Sequence, residues 1–319
     1  MLHKVTPLGL VIVGVVVLEF FILIPRTIRD AEKKHFLPPA EDVDLSIQGF
    51  RAANLNADGQ KETVEAKEAE LYQQQGFVIL KEVTARIYAE GDHVIHVRGK
   101  RGKYFLNTKD IEFFGDIIVT SENLGYELKT EYLKYAKGEK VLSSHEPIWF
   151  AGPNPQTPSL EVTAKGMHVE TRKEELKLLS QVHCKKFDED AENIDVQSDK
   201  ATVYLNKNKA LFVDNVVVTQ RDMNIFSDRF LMAYNKKNKS IDRAEASQNV
   251  KIVQEDRVAS CQKALFLNRK QKIILTGNPR VVQGGDSVSA KVVIFFTAEN
   301  KILFDEAVGE VKELGLEGF

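Results

Sequence analysis

His93 and His96 come closest to a pair of metal ligands in this chain, and their spacing works against them. On an extended strand, residues three apart point to opposite faces, so the two rings cannot share an ion. His183 and Cys184 are adjacent and fail for the same reason. Asp188, Glu189 and Asp190 lie in the run D-E-D-A-E, which reads as a solvated linker and not as a carboxylate pair set to move protons. No phosphate-cradling glycine loop, nucleophile elbow or metal-binding motif occurs. Cys184 and Cys261 are the only cysteines, too few for a disulfide scaffold or a thiolate metal site, and leave open one disulfide or two thiols. The residues predict no catalysis, no metal and no cofactor. An enzyme would have to gather its groups from distant strands.

The elements that would position such residues are repeated. From Ser227 the chain reads S-D-R-F-L-M-A-Y-N-K-K-N-K-S-I-D, and gap-free relatives of this phrase begin at Leu128, Ser260 and Ser289. Each copy has a bulky eighth residue (Tyr135, Tyr234, Leu267, Phe296) and a lysine at the thirteenth place (Lys140, Lys239, Lys272, Lys301). A shorter relative starts at Ser198. An apolar-rich strand, a polar tetrad and a second strand make a β-hairpin. Hairpins in tandem make a stack whose units bury one another's apolar faces. Such stacks offer a surface or a groove more often than an active site. The balance of 44 basic and 46 acidic residues, net −2, argues against a nucleic-acid partner.

Leu8 to Ile24 is a run of seventeen residues with one ionisable group, Glu19, closed by Pro25. That length is the short limit for a membrane-spanning helix, and the following I-P-R-T-I-R lacks the small residues of a signal cleavage site. An uncleaved anchor is predicted, with residues 1–7 as a cytoplasmic tail. Glu19 either snorkels to the interface or faces a partner helix. Only Lys4 precedes the span, whereas Arg26, Arg29, Lys33 and Lys34 follow it, so flanking charge alone would put the bulk of the chain in the cytoplasm. Long exported domains cross largely regardless of that rule, and the β domains are read as periplasmic.

Residues 25–40 read as a stalk closed by Pro38-Pro39. Beyond it come short strand-like runs without a long helix. D-V-D-L-S-I-Q-G-F puts Val43, Leu45 and Ile47 on one face. The polar segment A-D-G-Q-K-E-T-V-E-A-K-E-A-E-L has helical or turn character, or forms a distorted strand pair. The prolines of G-P-N-P-Q-T-P-S-L mark a loop. A division near residue 187 separates an irregular domain, 41–187, from a regular one, 188–319. In S-V-S-A-K-V-V-I-F-F, strict alternation puts Val288, Ala290, Val292, Ile294 and Phe296 on one face, with Val293 and Phe295 breaking the polar pattern of the other.

Taken in order, the anchor, the run T-A-K-G-M-H-V-E-T-R-K-E-E-L-K-L-L-S-Q-V from Thr163, and the phrases I-D-V-Q-S-D-K-A and D-N-V-V-V-T-Q-R-D-M-N-I-F-S-D-R resemble the lipopolysaccharide-transport family. The chain is similar to an LptC-like domain fused to an LptA/OstA-like domain. That resemblance implies an all-β fold: twisted open β-jellyroll domains in tandem after one N-terminal transmembrane helix. It further implies an inner-membrane protein that accepts lipopolysaccharide from an LptBFG-type ABC transporter and passes it along an apolar groove to further OstA-type bridge domains. Groove candidates are Leu45, Ile47, Val203, Phe230, Met232, Val292, Ile294 and Phe296. Candidate pairing edges are Val43 and Phe50 at one end and Lys301, Leu303 and Val311 at the other, because unpaired edges invite another strand. The competing expectation is an anchored scaffold or signalling protein with a filled core. A carbohydrate-acting module would need exposed aromatics beyond the single Trp149 and a carboxylate pair.

Overall fold

The computed structural model describes residues 43–310 apart from 56–60, 90–92, 123, 188–192, 236–240 and 298–300. The expected span at 8–24, Glu19, the stalk and Val311 lie outside the described residues. Among those described, no helix is long and apolar enough to cross a membrane. The fold is all-β, and the chain divides into two compact units between Leu179 and Ser180.

The first unit is an antiparallel meander. Its strands are β1 (Leu45–Leu55), β2 (Lys61–Tyr72), β3 (Phe77–Ala89), β4 (His93–Phe105), β5 (Ile111–Ser121), β6 (Tyr126–Ala136), β7 (Val141–Gly152) and β8 (Leu160–Glu170). Each pairs with the next. The polar segment with helical character forms β2 from Lys61 on. Local propensity for helix loses here because Val64, Ala66 and Ala69 are buried while the charged residues between them face outward in ion pairs such as Lys81 with Glu68, at 3.1 Å. Leu80, Phe113 and Leu133 lie on one register row across the sheet and are all buried, forming the inner face. His93 and His96 lie on β4, three apart as expected.

The long strands are bent at mid-length, and the bend follows a rule. In β6, Leu128 and Thr130 face inward before the bend, and Leu133 and Tyr135 face inward after it. The inner face therefore skips from Thr130 to Leu133, an odd step. The hydroxyl at the bend closes it locally: Thr130 Oγ1 donates to the Tyr132 carbonyl at 3.2 Å. Ser198 and Ser227 do the same two residues ahead, to Lys200 at 2.9 Å and Arg229 at 3.1 Å. Each bond gives a backbone carbonyl at the bend a side-chain donor, a contribution of about 1 kcal/mol. The neighbouring strands turn the same corner with paired residues in the left-handed region, Asp214-Asn215 and Gln248-Asn249.

The second unit starts with the end of β9 (Glu175–Lys186) and continues through β10 (Ile194–Ser198), β11 (Lys200–Tyr204), β12 (Lys209–Gln220), β13 (Met223–Tyr234), β14 (Ile241–Gln254) and β15 (Arg257–Leu267). Six short strands follow: β16 (Lys272–Thr276), β17 (Arg280–Gln283), β18 (Asp286–Ser289), β19 (Val292–Phe296), β20 (Lys301–Asp305) and β21 (Val308–Glu310). The expected hairpin pairings are present: β11 with β12, β13 with β14, β15 with β16, and β19 with β20. The repeat frame shifts by one, however. Arg229 faces Ser247 and Ser247 faces Lys263, so Cys261, and not Ser260, occupies the place of Ser227. A one-residue slip exchanges the faces of every side chain beyond it.

After β15 the sheet forks. Residues Arg257–Ser260 pair with β17, whereas Lys263–Leu267 pair with β16. One branch continues through β16, β19 and β20, the other through β17, β18 and β21. The crossing between them is Gly277, whose φ is +78° and whose added Cβ would lie 2.5 Å from the Gln262 Cβ, so only glycine fits. Upstream, bent strands belong to both branches and hold them together; downstream, among the described residues, no strand spans both, and the two inner faces can part.

Candidate functional site

The parting of the two branches opens a cavity of about 120 Å³ within the second unit. Met223, Ile252 and Ala259 line it from one branch, and Ile273, Phe295 and Ile302 from the other. Gln254, Arg257, Thr297 and Lys301 bound it, so an apolar trough ends in a polar rim with two cations. The Arg257 Nε donates to the Gln283 amide oxygen at 3.3 Å, which holds the guanidinium near the opening. Deeper in, the inner row Ala201, Phe212, Phe230, Ala246, Ala264, Leu275 and Val293 is closed core, each residue buried. Phe230 meets Phe266 edge-on at 6.3 Å between ring centres. The chemistry available is burial of apolar chain, worth about 0.8 kcal/mol per methylene, beside attraction for an anion.

The expected groove residues are scattered. Phe230 is buried in the core row, and Val203 and Met232 share its face and are half-buried. Val292, Ile294 and Phe296 lie on the opposite face, because Val293 pairs with Leu275 on the inner row and Phe295 with Ile273. The expectation that all six line one face is corrected: the chain bends between Ala290 and Val293, and alternation carried straight through the bend selects the wrong residues beyond it. Phe296, at the strand end, still reaches the rim of the cavity. Leu45 and Ile47 sit on β1, 51% and 41% exposed, in the other unit. The lining residues Ile273, Phe295 and Ile302 are not among the expected ones, and Phe295 is one of the two residues that break the polar alternation of its strand.

The expected pairing residues lie on or next to strands that have one open side among the described residues. β1 pairs with β2 on one side only, with Val43 partly buried against Tyr72, Phe77 and Ile79 and Phe50 opposite Ala66. β20 pairs with β19 alone, with Lys301 exposed and Leu303 44% exposed.

The remaining reactive side chains hold structural places. Cys184 and Cys261 are free thiols. Burial pushes Cys184 up to about 12, helped by the Asp195 charge, and Cys261 up to about 11, so both stay protonated at neutral pH. His183 Nε2 lies 2.8 Å from Asp195 across β9 and β10. Among the described residues no three His, Cys, Asp or Glu side chains are grouped to hold a metal.

The family profile described as lipopolysaccharide-assembly, LptC-related matches residues 10–186. A second profile, the LptA/(LptD N-terminal domain) LPS transport protein, matches residues 195–301. No curated protein matches the chain. Among solved structures, it is similar to LptH, the LptA homologous periplasmic component of the conserved lipopolysaccharide transport device from Pseudomonas aeruginosa, at 14% identity. That similarity covers 37% of this chain and 94% of LptH, with a TM-score of 0.35. The first profile spans more than half of the 319 residues: the chain belongs to the LptC-related lipopolysaccharide-assembly family and carries an LptA-like domain fused behind the LptC-like one.

Proposed function

We propose that this protein is an inner-membrane-anchored, periplasmic component of lipopolysaccharide export that does no chemistry of its own. Residues 1–7 are its cytoplasmic tail, 8–24 its anchor and 25–40 its stalk. The LptC-like domain, 41–187, takes lipopolysaccharide from an LptBFG-type transporter, and the LptA-like domain, 188–319, passes it toward the outer membrane. The observation that carries this reading is the apolar cavity at the forked end of the second unit, bounded by Arg257 and Lys301. Acyl chains suit the trough, and the phosphates of the glycolipid suit the two cations. A scaffold with a filled core has no use for either. The open edges of β1 and β20 support strand addition, at the transporter and at the next OstA-type domain respectively.

Binding of the full chain to lipopolysaccharide and to chemically deacylated lipopolysaccharide tests the reading. Saturable binding of the acylated form, at least tenfold tighter than the deacylated one, is expected. Equal binding of both would put the recognition on the sugars and contradict it.

A further inference from the structure

Cations gather at the hairpin ends of the second unit, two of them, Lys272 and Lys301, from the thirteenth place of the repeat. The register row at the hairpin ends runs Tyr204, Lys209, Ala233, Arg243, Leu267, Lys272, Phe296, Lys301. Every second strand contributes a cation and the strand between contributes an apolar or aromatic group. Neighbouring strands are about 4.8 Å apart, so the cations recur roughly every 10 Å along one margin. Lys272 lies over the Phe296 ring at 4.6 Å, and Lys207, at the adjacent turn, over Tyr204 at 5.4 Å. Arg243 is paired with Glu245 at 3.0 Å. Lys207, Lys209 and Lys272 have no carboxylate partner among the described residues.

The next row on the same face is apolar. It includes Leu211, Leu231, Leu265, Ile274 and Ile294, all half-buried, and ends in exposed Leu303. Glu245 is its one charge, and Lys263 and Arg243 neutralise it at 2.8 and 3.0 Å. Inner-face packing does not call for this strip, since these side chains point away from the core.

We infer that this outer face docks on a bilayer surface bearing anionic headgroups, with the lysine margin at the phosphates and the Leu/Ile strip against the upper acyl region. The order of groups is that of an interfacial element: aromatic rings and snorkelling cations at the headgroup level, apolar side chains behind them. Unpaired cations favour a phosphate-rich surface over an ordinary protein partner, and each lysine near such a surface raises partition about fivefold. Lys207, Lys209, Lys272 and the Leu/Ile strip are not among the residues that line the cavity, whereas Phe296 and Lys301, at the end of the margin, also reach its rim.

Flotation of the full chain with vesicles of phosphatidylcholine alone, or with a third phosphatidylglycerol, tests this. The ratio of the two partition coefficients is compared among variants, so that the anchor contributes equally throughout. Lys207→Gln with Lys209→Gln and Lys272→Gln should lower the ratio on the order of a hundred-fold. Lys301 is left intact because it also bounds the cavity. A control triple, Lys185→Gln with Lys200→Gln and Lys251→Gln, removes the same charge elsewhere on the second unit and should keep the ratio within about threefold of the wild type. Leu265→Ser should weaken binding to both vesicles at unchanged ratio. Equal losses in the two triples would reduce the effect to net charge and overturn the proposal. So would an unchanged ratio in the margin triple, which would leave the face to a protein partner.

Discussion

Replacing Phe295 by aspartate should lower lipopolysaccharide binding about a hundred-fold while the sheet keeps its circular dichroism. Phe295 is half-buried at the open end of the trough, so a carboxylate there finds water and the fold need not bury it. An acyl chain cannot lie against that charge. Displacing about four methylenes from apolar contact loses roughly 3 kcal/mol, or two decades in affinity. Val282→Asp makes the control. Val282 is on β17 in the other branch, one residue from buried Val281, and therefore on the outer face. It should leave binding within about twofold. Equal losses in both variants would assign the effect to general destabilisation and not to the trough.

The second large effect is expected at the far edge. β20 is bonded to β19 on one side, and Leu303 faces solvent near the middle of the strand. Leu303→Pro removes one backbone donor and fixes φ, which a strand recruited to that edge would feel along its whole ladder. Co-purification with an OstA-type bridge domain should fall at least tenfold, with lipopolysaccharide binding by the isolated full chain preserved within about threefold. Leu303→Lys, a milder edge block of the kind natural sheets use, should fall in between. Undiminished co-purification of both variants would move the junction away from β20.

The contrast between these two predictions reflects what sequence can carry. Hairpins were legible because a polar tetrad between apolar runs is a local signal, and the strands on either side of each tetrad pair as it predicts. β2 was ambiguous, since its Glu, Lys and Ala suit a helix and only pairing with β1 and β3 decides otherwise. The trough was not legible. Its lining depends on which residue absorbs the bend in each strand, and that residue is a serine at 227, a threonine at 130 and a cysteine at 261. Side chains so different share a place only because of where the strand turns. Without the bend, alternation points to Ile294; with it, to Phe295.

Photocrosslinking from adjacent faces tests the central claim most directly. A photoreactive residue at Ile273, inside the trough, and one at Val282, on the outer face, would be irradiated in the full chain with lipopolysaccharide present. The account predicts lipopolysaccharide adducts from position 273 and none above background from position 282. Adducts from 282 with none from 273 would contradict it, because the lipid would then travel on the outside of the fold.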